Sequence, residues 1–295
     1  MTQPTETDRE LVDRLEEVWR SIDVLCTGLS EAEWKTSTEC PGWSVQDNLA
    51  HIVGIESSIL GRPEPDHAPP DGEHVKNDIG RRNEVWVASR RARSGPEVLA
   101  EFRAVTATRL DALHAMRADD FGADSWTPVG PGTVRDLLPF RVFDCWVHEQ
   151  DMRRAVGRPG GFDGEVAREG IGRVAAVMPM VVGKKVKPPD GTTIVFDVTG
   201  PAARVVALVV EGGRARALDP VPADPALADP VPADPVPADP VPVEPTVRLT
   251  MSSETFLRLG AGRGDPAAVL ASGSVSTEGD HALGEAIVGQ MNFLF

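Results

Sequence analysis

The chain reads as a two-domain α+β protein, with a helical bundle over residues 1–158 and a small α+β domain over residues 159–295. Three observations predict this. Apolar residues recur at three- and four-residue spacing through the first half, as in helices that each bury one face. Beyond residue 190 the texture changes to short runs rich in Val, Ile and Thr, as in strands. The length, 295 residues, suits two domains of ordinary size. The boundary falls near Arg158 to Glu165, after Gly157 and Pro159 have ended the last long helix.

The first helix follows from Leu11, Leu15, Val18, Ile22, Leu25 and Leu29, which form one face. Ser30 caps a short turn containing Trp34. Pro41 and Gly42 in ECPGWS then break the chain. Ser44 caps the next helix, with Asp47 three residues on as a capping box, and Val45, Asn48, Leu49, Ile52, Ile55 and Ile59 mark its inward side. Residues 61–74, rich in Pro, Gly, Asp and His, read as a loop. A third helix starts before Asn83 and runs through Trp86 and Ala92, and a fourth spans about Glu97 to Met116. Pro128, Gly130, Pro131 and Gly132 mark a further loop. Thr133 then caps the helix LLPFRVFDCWVHEQDMRRAVG, which Pro139 bends or trims. Short connections between long amphipathic helices imply a bundle.

In the second half a helix near Glu165 to Val177 precedes the strands TTIVFDVTG, RVVALVVEGG, ARALD and TVRLTMS. Ser253 caps a short helix over Glu254 to Leu259, and AVLASGSVSTEGD leads into the helical LGEAIVGQMNF. Residues 219–245 repeat the pentad V-P-A-D-P. A proline every two or three residues excludes helix and sheet, so an extended strip is expected, either an expanded hairpin tip or a docking strip for a protein partner.

A net charge of -15 argues against non-specific binding of nucleic acid or anionic lipid. No run of 18 apolar residues suggests a membrane span, and the first twenty residues lack the pattern of a secretory leader. Cys26, Cys40 and Cys145 are odd in number and widely spaced, so no disulfide framework is expected and a reducing cytoplasm is the simplest location.

Asp144 and His148 lie one turn apart on one helix face, and Asp151 continues that face. His51 stands on the inward side of another helix. A buried carboxylate and imidazole need partners. A divalent ion held by His51, Asp144 and His148 would satisfy all three and leave an open position, the catalytic pattern for zinc, though iron, manganese and nickel accept the same donors. The residues alone also allow a hydrogen-bonded Asp–His pair at a bundle seam with His51 as a separate core histidine. Asp151 fits as an acceptor for a ring N–H or as a partner of Arg154. Cys40 is the cysteine best placed to react, while Cys26 and Cys145 read as small core hydrophobes. Trp43 and Trp146 are close in sequence to the ligand candidates, as site walls or as ordinary core. No Ser-His-Asp motif, phosphate loop or dinucleotide fingerprint is present.

Residues 40–56, CPGWSVQDNLAHIVGIE, and residues 140–160, FRVFDCWVHEQDMRRAVGRPG, resemble the two ligand motifs of the mycothiol-dependent maleylpyruvate isomerase-like proteins of actinobacteria, within the wider DinB/YfiT-like metal-binding four-helix bundles. The second half resembles the sterol-carrier-protein-like domain that accompanies this bundle. The resemblance implies a histidine, a carboxylate and a histidine as metal ligands, which fall on His51, Asp144 and His148. It places aspartate where the isomerase is expected to use glutamate. It also implies mycothiol as thiol cosubstrate and a small electrophile as substrate. Either the thiolate adds to the cis double bond of maleylpyruvate, the bond rotates and the thiol is eliminated, or the thiol is transferred to leave an S-conjugate. Arg81, Arg82, Arg153, Arg154, Arg204 and Arg248 are the candidates for substrate carboxylates. The competing class is a non-enzymatic binding or regulatory protein on the same metal fold.

Overall fold

A computed structural model describes residues 6–68, 72–218 and 244–294. The V-P-A-D-P tract therefore lies outside the described residues, save Glu244 and Pro245. The chain divides into two compact units, Met1–Gly161 and Phe162–Phe295.

The first unit is built on four long helices: α1 (Glu6–Cys26), α3 (Val45–Ile59), α5 (Gly95–His114) and α7 (Val134–Ala155). They are joined by the short α2 (Glu31–Trp34), α4 (Asp78–Ala88) and α6 (Ala118–Phe121). Helix α1 packs on α7 and α5, while α3 packs on α5, α4 and α7. The periodic residues meet in the middle: Leu15, Ile22, Leu49, Ile52, Val105 and Leu138 have essentially no exposed surface. Two glycines let aromatic rings approach a backbone closely. A Cβ on Gly54 of α3 would lie 2.5 Å from Trp86 of α4, and one on Gly95 would lie 2.2 Å from the Trp34 ring.

Helix starts follow local chemistry. Ser30 with Glu33, Ser44 with Asp47 and Thr133 with Asp136 each form a reciprocal capping box. Pro139 is accommodated inside α7 without ending it. The third helix expected from the sequence is α4, and it ends at Ala88, short of the Ala92 read from periodicity. Residues 124–133 differ from the expected loop. They form a hairpin of β1 (Asp124–Thr127) and β2 (Gly130–Thr133), whose turn is closed by Thr127 Oγ1 donating to the Gly130 carbonyl at 2.8 Å. Gly130 at φ 123° supplies the backbone that this turn needs.

The second unit carries α8 (Glu165–Met180), a π-helical turn over Val181–Val186, and five strands: β3 (Thr193–Thr199), β4 (Arg204–Glu211), β5 (Arg214–Ala217), β6 (Val247–Ser252) and β7 (Val275–Gly279). The sheet order is β5-β4-β3-β6-β7, with β3 and β6 parallel and every other pair antiparallel. Helices α9 (Ser253–Gly260), α10 (Pro266–Ala271) and α11 (His281–Gln290) complete it. Ile194, Phe196 and Val198 alternate along β3 onto one face, where Phe196 meets Phe256 of α9 edge-to-face at 5.9 Å. The cap of α9 is Ser252, one residue earlier than the sequence suggests, because its hydroxyl accepts from the Thr255 N–H at 3.1 Å.

Candidate metal centre

The Ser44–Asp47 box fixes the start of α3, and the residues one and two turns further in face α7. Asn48, on the first of these turns, has its amide N–H groups directed at Thr38 Oγ1 (3.0 Å) and at the Ser44 carbonyl (2.8 Å). That turns its carbonyl oxygen toward His148, whose Nδ1 lies 2.6 Å away. Asp151 Oδ2 stands 3.5 Å from the same nitrogen. Both neighbours are acceptors, so Nδ1 of His148 carries the proton and Nε2 presents its lone pair to the other side.

On that other side lies Asp144, one turn back along α7. Its Oδ1 is 3.6 Å from His148 Nε2. Its Oδ2 is 3.2 Å from Nε2 of His51, which comes across from α3. The three donor atoms all lie within 4.8 Å of one another. The two imidazoles are 4.7 Å apart, and the Trp43 ring packs on both, at 5.0 Å from His51 and 5.6 Å from His148. The structure thus brings His51, Asp144 and His148 together. The two histidine side chains are nearly water-free, whereas Asp144 remains 32% exposed, so the cluster opens to solvent at the carboxylate.

The donor set fits a small divalent ion. Zinc bonds of about 2.0–2.1 Å in tetrahedral array space neighbouring ligands roughly 3.3 Å apart, close to the two nitrogen–oxygen separations seen here. His51 Nδ1 is buried with no hydrogen-bond partner among the described residues, whereas Nε2 faces the Asp144 carboxylate.

Electrostatics separate the three groups. Burial pushes the His51 imidazole below its ordinary value, because the charged form is stripped of water. Burial acts on His148 in the same sense, but hydrogen bonds to Asp144 and Asp151 outweigh it and raise the value. Burial opposes ionisation of Asp144, yet His51 and Arg141 outweigh it and hold the carboxyl well below the usual range.

Several groups around this cluster were not singled out by sequence reasoning. Arg141 lies three residues before Asp144 and donates from Nη1 to its Oδ2 at 2.7 Å. Trp43 is anchored by Glu84, whose Oε2 accepts from Nε1 at 2.9 Å. The same carboxylate takes Arg91 at 2.6 Å and stands 3.2 Å from His74 Nε2. The spacing of Arg141 was available as a signal. The Trp43–Glu84 contact, 41 residues apart, was not.

The other sequence candidates fall as follows. Asp151 takes both roles expected of it, beside His148 and 3.6 Å from Arg154, which also pairs with Glu39 at 3.0 Å. Arg153 is engaged by Glu149 at 2.7 Å and Ser21 at 3.0 Å. Arg82 lies 3.9 Å from Glu64, and Arg81 precedes it on α4. Arg204 and Arg248 belong to the second unit, with Arg248 4.0 Å from Glu278. Trp146 is a core residue that donates to the Gly161 carbonyl at 2.9 Å. Cys40 reaches His148 and Asp151, forming a second donor group within 4.8 Å. Cys26 and Cys145 are fully buried, and burial pushes both thiols far up. No helix of the described residues is long and apolar enough to cross a membrane.

Residues 15–153 match the family model described as the mycothiol maleylpyruvate isomerase N-terminal domain. Two crystal structures share the fold over 92% of each chain. One is of the mycothiol-dependent maleylpyruvate isomerase, at 15% identity and a TM-score of 0.51. The other is of a histidine-to-alanine mutant of the isomerase, at 16% identity and the same TM-score. No curated protein matches the chain.

Proposed function

We propose that the helical unit, whose residues 15–153 match the model of the mycothiol maleylpyruvate isomerase N-terminal domain, holds one divalent ion on His51, Asp144 and His148. In this reading the ion is zinc, and the protein uses mycothiol to act on a small electrophile. The observation that carries it is the convergence of two imidazoles and one carboxylate, from α3 and α7, on a point open to solvent on one side.

The ion, when bound, supplies a positive charge that favours thiolate over thiol at the open position. The protein's own part follows from the contacts. Asn48 and Asp151 hold the proton at Nδ1 of His148, so that Nε2 is available as a donor and the ring cannot turn. Trp43 covers both imidazoles and keeps water from that side. Arg141 neutralises part of the Asp144 charge. The ligand set is then close to neutral overall, which leaves an ion most of its own charge for a thiol.

Cis–trans isomerisation of maleylpyruvate and transfer of the thiol to another electrophile share this apparatus. They differ in whether the thiol returns. Incubating zinc-loaded protein with mycothiol and maleylpyruvate, and following both substrate and thiol, decides between them. Isomerisation with undiminished thiol supports the first, and an S-conjugate formed with an electrophile supports the second. Loaded protein that turns over neither maleylpyruvate nor a panel of electrophiles contradicts the enzymatic reading and leaves a metal-containing binding protein.

A further inference from the structure

Three buried charges of the helical unit, Arg109, Glu56 and Arg141, form one chain of contacts that ends on Asp144. Glu56 of α3 has no exposed surface. Its Oε1 accepts from Arg141 Nε at 2.7 Å, and its Oε2 lies 3.4 Å from Nε of Arg109 on α5. Arg141 and Arg109 are each only 6% exposed. Arg141 then reaches Asp144 Oδ2 through Nη1, while its Nη2 rests 3.6 Å from Cys145 Sγ. Cation, anion, cation and anion alternate from α5 through α3 to α7.

Such a chain is a poor way to fill a core. Taking charges out of water is costly, and well-packed apolar residues of similar volume often serve stability as well or better. Its geometry points to another use. Asp144 is the ligand candidate that solvent reaches, and a carboxylate at that position can swing away from the two imidazoles. The guanidinium of Arg141 opposes this. It grips Oδ2, the oxygen that also faces His51, and leaves Oδ1 toward His148. Arg141 has no such hold unless its own position is fixed, and Glu56, braced by Arg109, fixes it.

We infer that Glu56 and Arg109 clamp Arg141 so that Arg141 sets the orientation of Asp144 as an ion ligand. Arg141 is then a positioning residue acting through Asp144, and Glu56 acts through Arg141. This rests on the metal reading above. The sign of a mutational effect separates it from simple electrostatics. A guanidinium repels a nearby cation, so removing its charge tightens ion binding if charge is all that matters. If Arg141 positions the ligand, removing it loosens binding.

The test is zinc affinity of the full chain, measured by competition with a chromophoric chelator. Arg141→Met is expected to weaken binding by about 10- to 100-fold, the usual cost of losing a group that orients a ligand. Arg141→Lys keeps the charge and loses the fork, so it is expected to bind more weakly than wild type and more tightly than Arg141→Met. Glu56→Gln weakens binding on its own and adds nothing in the Arg141→Met background, because it acts through that residue. Circular dichroism of the zinc-free proteins confirms folding, and Arg141→Lys carries the test if Arg141→Met does not fold. Wild type that binds zinc while Arg141→Met or Arg141→Lys binds as tightly or more tightly overturns this inference alone. Wild type that binds no zinc overturns it together with the metal reading.

Discussion

The two units bury very different material. Among the described residues the sheet-containing unit buries a single ionisable side chain, Arg173, and its core is otherwise apolar apart from the hydroxyls of Thr192, Ser253 and Thr255. The helical unit buries His51, Glu56, Glu84, Arg109, Arg141, His148 and Asp151 among others. Both units close a hydrophobic core, so folding alone does not require these charges. Buried ionisable groups are costly unless paired, and they concentrate where their chemistry is used. On the proposed reading, the helical unit holds the reacting groups, and the burial difference is what that reading requires.

Mutations on either side sharpen or break that division. Phe196→Ala empties the centre of the sheet unit and is expected to cost about 3–5 kcal/mol of stability, with zinc affinity unchanged in the folded protein. Urea unfolding and chelator competition on the same sample check both halves, and a parallel loss of affinity would break the division. Asn48→Ala removes the acceptor at Nδ1 of His148. It should lower zinc affinity by about 10- to 100-fold while changing the melting temperature of the zinc-free protein far less than Phe196→Ala does.

Acidity acts on the same cluster. His148 is raised above its ordinary 6.5 in the absence of an ion. A group shifted in this direction stabilises the fold fully below its unfolded value, and the contribution disappears as pH rises through the folded value. The zinc-free protein should therefore gain stability from His148 as pH falls from 8 toward 6. In the same range the proton competes with zinc for Nε2, so zinc affinity falls. The depressed His51 works in the opposite sense, so the His148 share is read by comparing thermal melts of zinc-free wild type and His148→Ala across this range; a stability difference that does not grow as pH falls would contradict the assignment of His148. The smallest effect is expected at Ser44. Ser44→Ala removes one half of the capping box and should cost about 1 kcal/mol, read as a shift in the urea midpoint.

Much of this was legible in the sequence because local rules decide it. The helices carry apolar residues at helical spacing, and the boxes at Ser44 and Thr133 are visible as residue pairs three apart. Asp144 and His148, four apart on one helix, necessarily share a face. His51 was found because its neighbour Ile52 marks an inward side. What escaped depends on contacts distant in sequence. Arg141 stands inside a quoted motif, but an arginine in a helix looks like a surface charge until Glu56 and Arg109 are seen around it. Gly130, Pro131 and Gly132 look like a loop, and only pairing with residues 124–127 makes them a strand. The cap of α9 shifted by one because Ser252 and Ser253 adjoin and only geometry chooses between them.

His51, Asp144 and His148 are proposed to hold one ion. Elemental analysis of untagged wild-type protein after zinc resupply, beside His51→Ala and His148→Ala, tests this most directly. Close to one zinc per wild-type chain is expected, and little or none in either variant. Wild type without zinc, or variants that retain it fully, would contradict the proposal.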